Sequence, residues 1–363
     1  MEKNTLKIGL ASIAKLAGVS TSAVSLALQN RPGVSVETRE RIVRIAKEQG
    51  YAPDARLTSL MAGVRDARSK ELLPIAWLNT AWRKDAWQCY RFHTPVIEGA
   101  RERARELGYR LDDIWCHEPG LTMKRLAKTL YQRGIEGVIV TFPARHLRLD
   151  WNHLVGVAIG ATLLAPALHR IVPDLPFNLQ LAVKSLKRLG YRRIGICLTP
   201  EIGSAAHNAV HALAQELHSS AGRTEKVPPL FHKPLTYYET IKLQDHGAAK
   251  KQAEMISWCR RYQPEVIIGH DDRLVSWARA GGLRVPEDVG IVHLAVDDDV
   301  LDWAGIHSRR REIGGTAVEW LVSMMQNRRF GLPKTPVDIS IRGSWQNGRT
   351  VVRRTSGRTA ATK

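Results

Sequence analysis

From Leu72 onward the chain switches repeatedly between two hydrophobic periods, and this alternation constrains the fold more than any other feature. The apolar run from Leu72 to Thr80, then "GVIVTFP", "RRIGICLT", "EVIIGH" and "GIVHLAV", have the length and composition of buried strands. Between such runs lie "PVIEGARERARELGY", "TMKRLAKTLYQRG", "NLQLAVKSLKRLGY" and "AAKKQAEMISWCRRYQ", whose apolar residues recur at helical spacing. Parallel strands need a long crossover, so strand–helix alternation builds parallel sheets with helices on both faces. The pattern runs twice, on either side of a glycine- and proline-marked break near Gly160 to Pro176. It predicts two doubly wound subdomains, with a cleft beyond the C-terminal strand ends as the place for a ligand.

The front of the chain reads differently. "ASIAKLAGVSTSAVSLALQNRPGVS" (Ala11 to Ser35) predicts two short helices meeting at Gly18. Ser12 is expected to cap the first, and Ser20 or Thr21 the second, which runs to about Gln29. Ser35 opens a third, "SVETRERIVRIAKEQG", ending at Gly50. Three short helices with a glycine turn form a helix-turn-helix unit. Ser20, Thr21, Ser22 and Ser25 leave one face of the second helix small and polar, a shape that enters a major groove about 12 Å wide. "GYAPDARLTSLMAG" (Gly50 to Gly63) then carries Leu57, Leu60 and Met61 on a stretch of about two turns, too short to be stable alone. It is expected to order on DNA, where leucine serves as a wedge between base steps.

A formal charge of +19 favours polyanion partners. Residues 1–70 hold 12 Lys+Arg against 6 Asp+Glu, so most of the excess lies further on, including the acid-free end from Ser340 to Lys363. No run of about 18 apolar residues marks a membrane span, and Met1 to Leu10 has no apolar signal core, so a cytoplasmic protein is expected. Cys89, Cys116, Cys197 and Cys259 show neither disulfide nor metal-ligand spacing, so they read as buried thiols. There is no Gly-x-Gly-x-x-Gly after a strand, no phosphate-binding Gly-Lys-Ser/Thr loop, no Gly-x-Ser-x-Gly elbow and no His-Glu-x-x-His pair. An enzyme is not expected, nor a metal or cofactor.

Ala17-Gly18-Val19-Ser20, Val24-Ser25, Val34-Ser35, Thr38-Arg39 and Gly50-Tyr51-x-Pro53 resemble, at these separations, the DNA-binding head of the LacI/GalR family of bacterial repressors. "LGYRRIGI", "GLRVPEDVGIV" and "IGGTAVEWL" resemble the type I periplasmic-binding-protein fold of the same family's sensor core. The resemblance implies base readout by Thr21, Ser22 and Leu26, and phosphate contacts from Ser20, Ser25, Gln29, Ser35 and Thr38. It implies minor-groove insertion by Leu60, with Leu57 one turn before it. Leu26 stands where relatives commonly have arginine, so apolar contact replaces a bidentate grip on guanine. For an effector, the resemblance implies contacts from Asp297, after "IVHLAV", and His270, after "EVIIG".

 Relatives usually clamp the effector with an arginine on the helix after "RRIGICLT"; here "GSAAHNAVHAL" offers His207 and Asn208 instead. Trp82, with Trp87 beyond it, stands in the loop after the first strand, where an indole can stack on a sugar face.

The expected organisation is a helix-turn-helix domain at 1–52, a hinge helix and linker at 53–71, a core at 72–350 and a basic, disordered tail at 351–363. Within the core, the first subdomain is expected at 72–165 plus 309–330, and the second at 166–308 plus 331–350. The expected partners are a double-stranded, pseudo-palindromic DNA operator, a second copy of the chain in a homodimer, and a small, sugar-like effector. The alternatives are a solute-binding protein and a ligand-independent DNA-binding regulator with a degenerate cleft.

Overall fold

The computed structural model describes residues 10–28, 33–49, 72–81, 83–85, 93–141, 146–199, 205–233, 247–297 and 302–354. They fall into two compact units, a head and a core that starts at Leu73.

The head is built from α1 (Leu10–Ala17), α2 (Thr21–Leu28) and α3 (Val36–Glu48). Ile13, Val24 and Ile42, one from each helix, are fully buried against one another, with Ala14, Ala17, Ala27 and Ala46 filling the gaps. Gly18 takes the left-handed conformation at φ +63° that a Cβ disfavours. The Val19 N–H then donates to Ala14 O at 3.1 Å, closing α1. Ser20 caps α2 as expected, its Oγ accepting the Ala23 N–H at 3.1 Å. Ser12 does not cap α1. That helix already begins at Leu10, which packs against the head core and so draws the first turn forward of the serine.

The core holds two six-stranded sheets. The first contains β1 (Leu73–Asn79), β2 (Tyr109–Trp115), β3 (Gly137–Val140), β4 (Val155–Ile159), β5 (His169–Pro173) and β11 (Asp338–Ile341). Its order is β11-β5-β4-β3-β1-β2, parallel throughout. The second contains β6 (Ile194–Leu198), β7 (Leu230–Phe231), β8 (Val266–Gly269), β9 (Gly290–Val296), β10 (Ala304–His307) and β12 (Ser344–Gln346). Its order is β12-β10-β9-β8-β6-β7, with β12 antiparallel to its neighbour. In both sheets the order reverses beside the opening strand, between β1 and β3 and between β6 and β8, which is where doubly wound folds place ligands.

The crossover helices are α4 (His93–Glu106), α5 (Met123–Gln132), α6 (Leu175–Arg188), α7 (Ala205–Ser220), α8 (Ala248–Tyr262), α9 (Leu274–Ala280) and α10 (Arg310–Gln326). Although α10 follows strands of the second sheet, its Ile313, Ala317, Val318 and Leu321 pack with Ile75, Trp77 and Ile97 of the first subdomain. It crosses α4 backbone to backbone. A Cβ on Gly314 would stand 1.9 Å from the Val96 carbonyl oxygen, and one on Gly99 would stand 2.1 Å from that of Arg311.

Strand pairing moves two of the expected subdomain boundaries. Residues 169–173 were expected in the second subdomain, yet they form β5 of the first sheet, where buried Ile171 and Val172 complete its core. The closing stretch "DISIRGSW" divides: Asp338–Ile341 pairs with β5, and Ser344–Gln346 with β10. The chain therefore passes between the sheets at Asp174, at Ser308–Arg309 and at Arg342–Gly343. Residues 351–354, expected in a disordered tail, are part of the core. Val351 packs on the second core, the Val352 N–H donates to the Tyr191 hydroxyl at 3.1 Å, and Arg354 pairs with Glu265 at 2.5 Å.

Candidate nucleic-acid interface and inter-subdomain joint

In the head, hydroxyl side chains gather at the starts of α2 and α3. Ser20, Thr21 and Ser22 are exposed, while Ser25 and Leu26 are half-buried one turn further along α2. The Ser35 Oγ accepts the Thr38 N–H at 3.3 Å and donates to Thr38 Oγ1 at 2.8 Å, capping α3. Uncapped N–H groups and the helix dipole make such N-termini favourable for phosphate oxygens. Leu26 is partly engaged inside the head: its Cδ1 lies 3.5 Å from the position a Cβ on Gly33 would take. Gln29, Leu57, Leu60 and Trp82, expected to contact DNA or effector, lie outside the described residues, as does Trp87.

In the core, the reversal point of the first sheet is satisfied from within. Thr80 Oγ1 donates to Thr141 O at 2.9 Å, across the gap between the ends of β1 and β3. The Asn79 side chain accepts from Ala81 N at 3.1 Å and donates to Lys84 O at 2.9 Å, shaping the loop that follows. In the second sheet His270 follows β8 and is half-buried. Asp271 is held by Arg273 at 2.6 Å, and Asp272 lies 3.2 Å from His293 Nε2. Asn208 is exposed on α7, and His207 lies within the same helix.

Asp297 stands at the end of β9 and is buried. Its Oδ2 is 2.6 Å from Arg310 Nε, in an ion pair whose side chains are 4% and 7% exposed. Ser308 Oγ donates to Asp297 Oδ1 at 3.2 Å, and Arg310 Nη2 donates to Ala295 O at 2.8 Å. Arg310 is the first residue of α10, so a side chain of a helix packed in the first subdomain is anchored on the last turn of a strand in the second. The neighbouring Arg311 goes the other way, to Glu98 at 2.5 Å and Glu102 at 3.3 Å on α4. His93, at the start of α4, is held down to about 4 by burial and by the positive charge of Arg310. The sequence reading singled out Asp297 and missed Arg310, Ser308 and His93. The signal available was the run "SRRR" directly before an apolar helix, where a cluster of cations needs acidic partners.

Cys116, Cys197 and Cys259 are buried, as expected, while Cys89 lies outside the described residues. Burial pushes Cys116 and Cys259 up to about 12, and raises Cys197 as well. Among the described residues no His/Cys/Asp/Glu group is arranged to hold a metal ion, and no helix is long and apolar enough to cross a membrane.

The head and core match two family models. Residues 10–54 match that of bacterial regulatory proteins of the lacI family, and residues 183–345 match that of a periplasmic binding protein-like domain. The chain is 24% identical over 351 residues to the HTH-type transcriptional repressor CytR of Escherichia coli, covering 92% of this chain and 94% of that one. It is 23% identical over 334 residues to the repressor PurR of Aliivibrio salmonicida, covering 87% and 92%. Among solved structures, a complex of the transcriptional regulator CelR with cellobiose superposes with a TM-score of 0.56 at 19% identity, covering 94% of this chain and 99% of that one. A lac repressor dimer bound to operator and an anti-inducer gives 0.53 at 17%, covering 95% and 99%.

Fold and head together define a bacterial DNA-binding regulator with a periplasmic-binding-protein-like core, not an enzyme. Its head matches the lacI family of bacterial regulatory proteins, and its full-length relatives are HTH-type transcriptional repressors.

Proposed function

We propose that this protein represses transcription as a cytoplasmic homodimer whose two heads bind a pseudo-palindromic operator, under control of a small, sugar-like effector in the core. The observation that carries the DNA reading is the exposed hydroxyl face of Ser20, Thr21 and Ser22 at the start of α2, on a helix whose opposite side is fixed by Val24 and Ala27. Thr21, Ser22 and Leu26 read bases in this proposal. Ser20, Ser25, Gln29, Ser35 and Thr38 hold phosphates, and Leu57 and Leu60 enter the minor groove. One head makes few contacts, and two heads joined through their cores engage half-sites about one helical turn apart. The solved lac repressor dimer on operator supports the pairing, and the CelR–cellobiose complex supports a carbohydrate as the class of effector. On the core side, His270, Asp297, His207, Asn208 and Trp82 are the candidate effector contacts.

The test is selection of genomic DNA fragments by the purified full chain, followed by a titration of salt against affinity. The expected result is a two-fold symmetric motif whose affinity falls linearly on a log–log salt plot, because phosphate contacts release counterions. Recovery of fragments without a shared motif overturns the reading.

A further inference from the structure

The geometry points to an internal ligand: the Arg310 guanidinium occupies the Asp297 carboxylate and ties the two subdomains together, so that an effector entering there has to release Arg310 rather than fill an open site. This inference rests on the proposed function for its regulatory meaning, and on the geometry alone for the tie itself.

Four observations carry it. Asp297 and Arg310 belong to different subdomains by packing, since β9 lies in the second sheet and α10 in the core of the first. Both charges are almost fully removed from water, and the pair is reinforced by Ser308 Oγ on the acid and by Ala295 O on the base. The pair brackets the middle crossing at Ser308–Arg309 and so fastens the end of β9 to the start of α10 across it. The two outer crossings are tied to each other, through Asp174 N to Ile341 O at 2.9 Å and Gly343 N to the Asn178 side chain at 2.9 Å. The middle crossing has its own fastening in Arg310.

The pair also decides which ligand chemistry the carboxylate can serve. Ser308 Oγ already donates to Asp297 Oδ1, and the Arg310 guanidinium supplies the opposite charge, which a small guanidinium compound reproduces. The carboxylate is thus matched to a cation, and in the native chain that cation is its own side chain.

The experiment uses the full-length chain with Arg310→Ala and ethylguanidinium chloride as the probe. The variant is expected to melt below the parent. Ethylguanidinium is expected to raise its melting temperature saturably, with no such rise in the parent or in the double variant Asp297→Asn with Arg310→Ala. A response absent from Arg310→Ala, or equal in all three proteins, overturns the internal-ligand reading. If Arg310→Ala does not fold, the charge-free pair Asp297→Asn with Arg310→Met serves instead, read by hydrogen exchange. Amides from Ser308 to Ile313 are expected to exchange about tenfold faster or more while β8 keeps its protection. Unchanged exchange across the crossing overturns the tie. Neither readout involves DNA, and operator affinity measured alongside reports separately on the proposed function.

Discussion

Replacing Ile42 with alanine separates the two units of this protein. Ile42 is fully buried and meets Ile13, Val24 and the head's alanines, so its loss opens a cavity that short helices cannot close by sliding. An Ile→Ala change at such a site costs about 2–5 kcal/mol. A unit as small as the head has about 3–5 kcal/mol in total from one core. The substitution therefore removes most of the head's stability and none of the core's. At about 1.4 kcal/mol per tenfold, amide protection in α1, α2 and α3 is expected to fall by about thirtyfold to several thousandfold. Hydrogen exchange followed by mass spectrometry measures both units in one sample. Operator affinity should weaken while melting of the core stays in place. Unchanged protection in α3 refutes the burial argument, and a parallel loss in β3 and β8 refutes the independence of the two units.

Four further outcomes are expected. Leu26→Arg should change the preferred base at one half-site position in a randomised selection; an identical motif shows that this position does not read bases. Leu60→Ala should weaken operator binding and reduce the DNA bend measured by gel mobility, and an unaltered bend removes the wedge role. Gly314→Ala forces a Cβ to within 1.9 Å of the Val96 carbonyl, so α4 and α10 must part; overpacking of this kind costs about 1–3 kcal/mol, and a melting temperature equal to the parent's contradicts the crossing. His93 titrates at about 4 in the fold against 6.5 for an unperturbed imidazole. The unfolded chain thus binds the extra proton first, and stability present above about pH 6.5 is lost as pH falls toward 4, by at most about 3 kcal/mol. His93→Gln should flatten the urea-denaturation midpoint across that window, and an undiminished slope assigns the effect elsewhere.

The parts of the fold visible in the sequence are those whose signal is local. The turn at Gly18, the cap at Ser20 and the buried strand "GVIV" each declare themselves within a few residues, and the structure has them where expected. The allocation of strands between subdomains was not visible, because His169–Pro173 and Asp338–Ile341 are short and their partner is chosen by pairing across 168 residues rather than by composition. The candidate site divides the same way. Asp297, after "IVHLAV", is singled out by the family resemblance, whereas Arg310 looks like one of several surface cations until the fold turns it toward the end of β9. A long-range ion pair leaves no period in the chain.

Three crossings between two sheets also govern how this molecule is made. Strands β11 and β12 are separated by Arg342 and Gly343 alone, and each forms the outer edge of a different sheet. A ribosome therefore finishes both halves of the core within the same few residues. A nonsense mutation just before Asp338 would strip an edge from each sheet at once, so neither half could survive as a stable fragment.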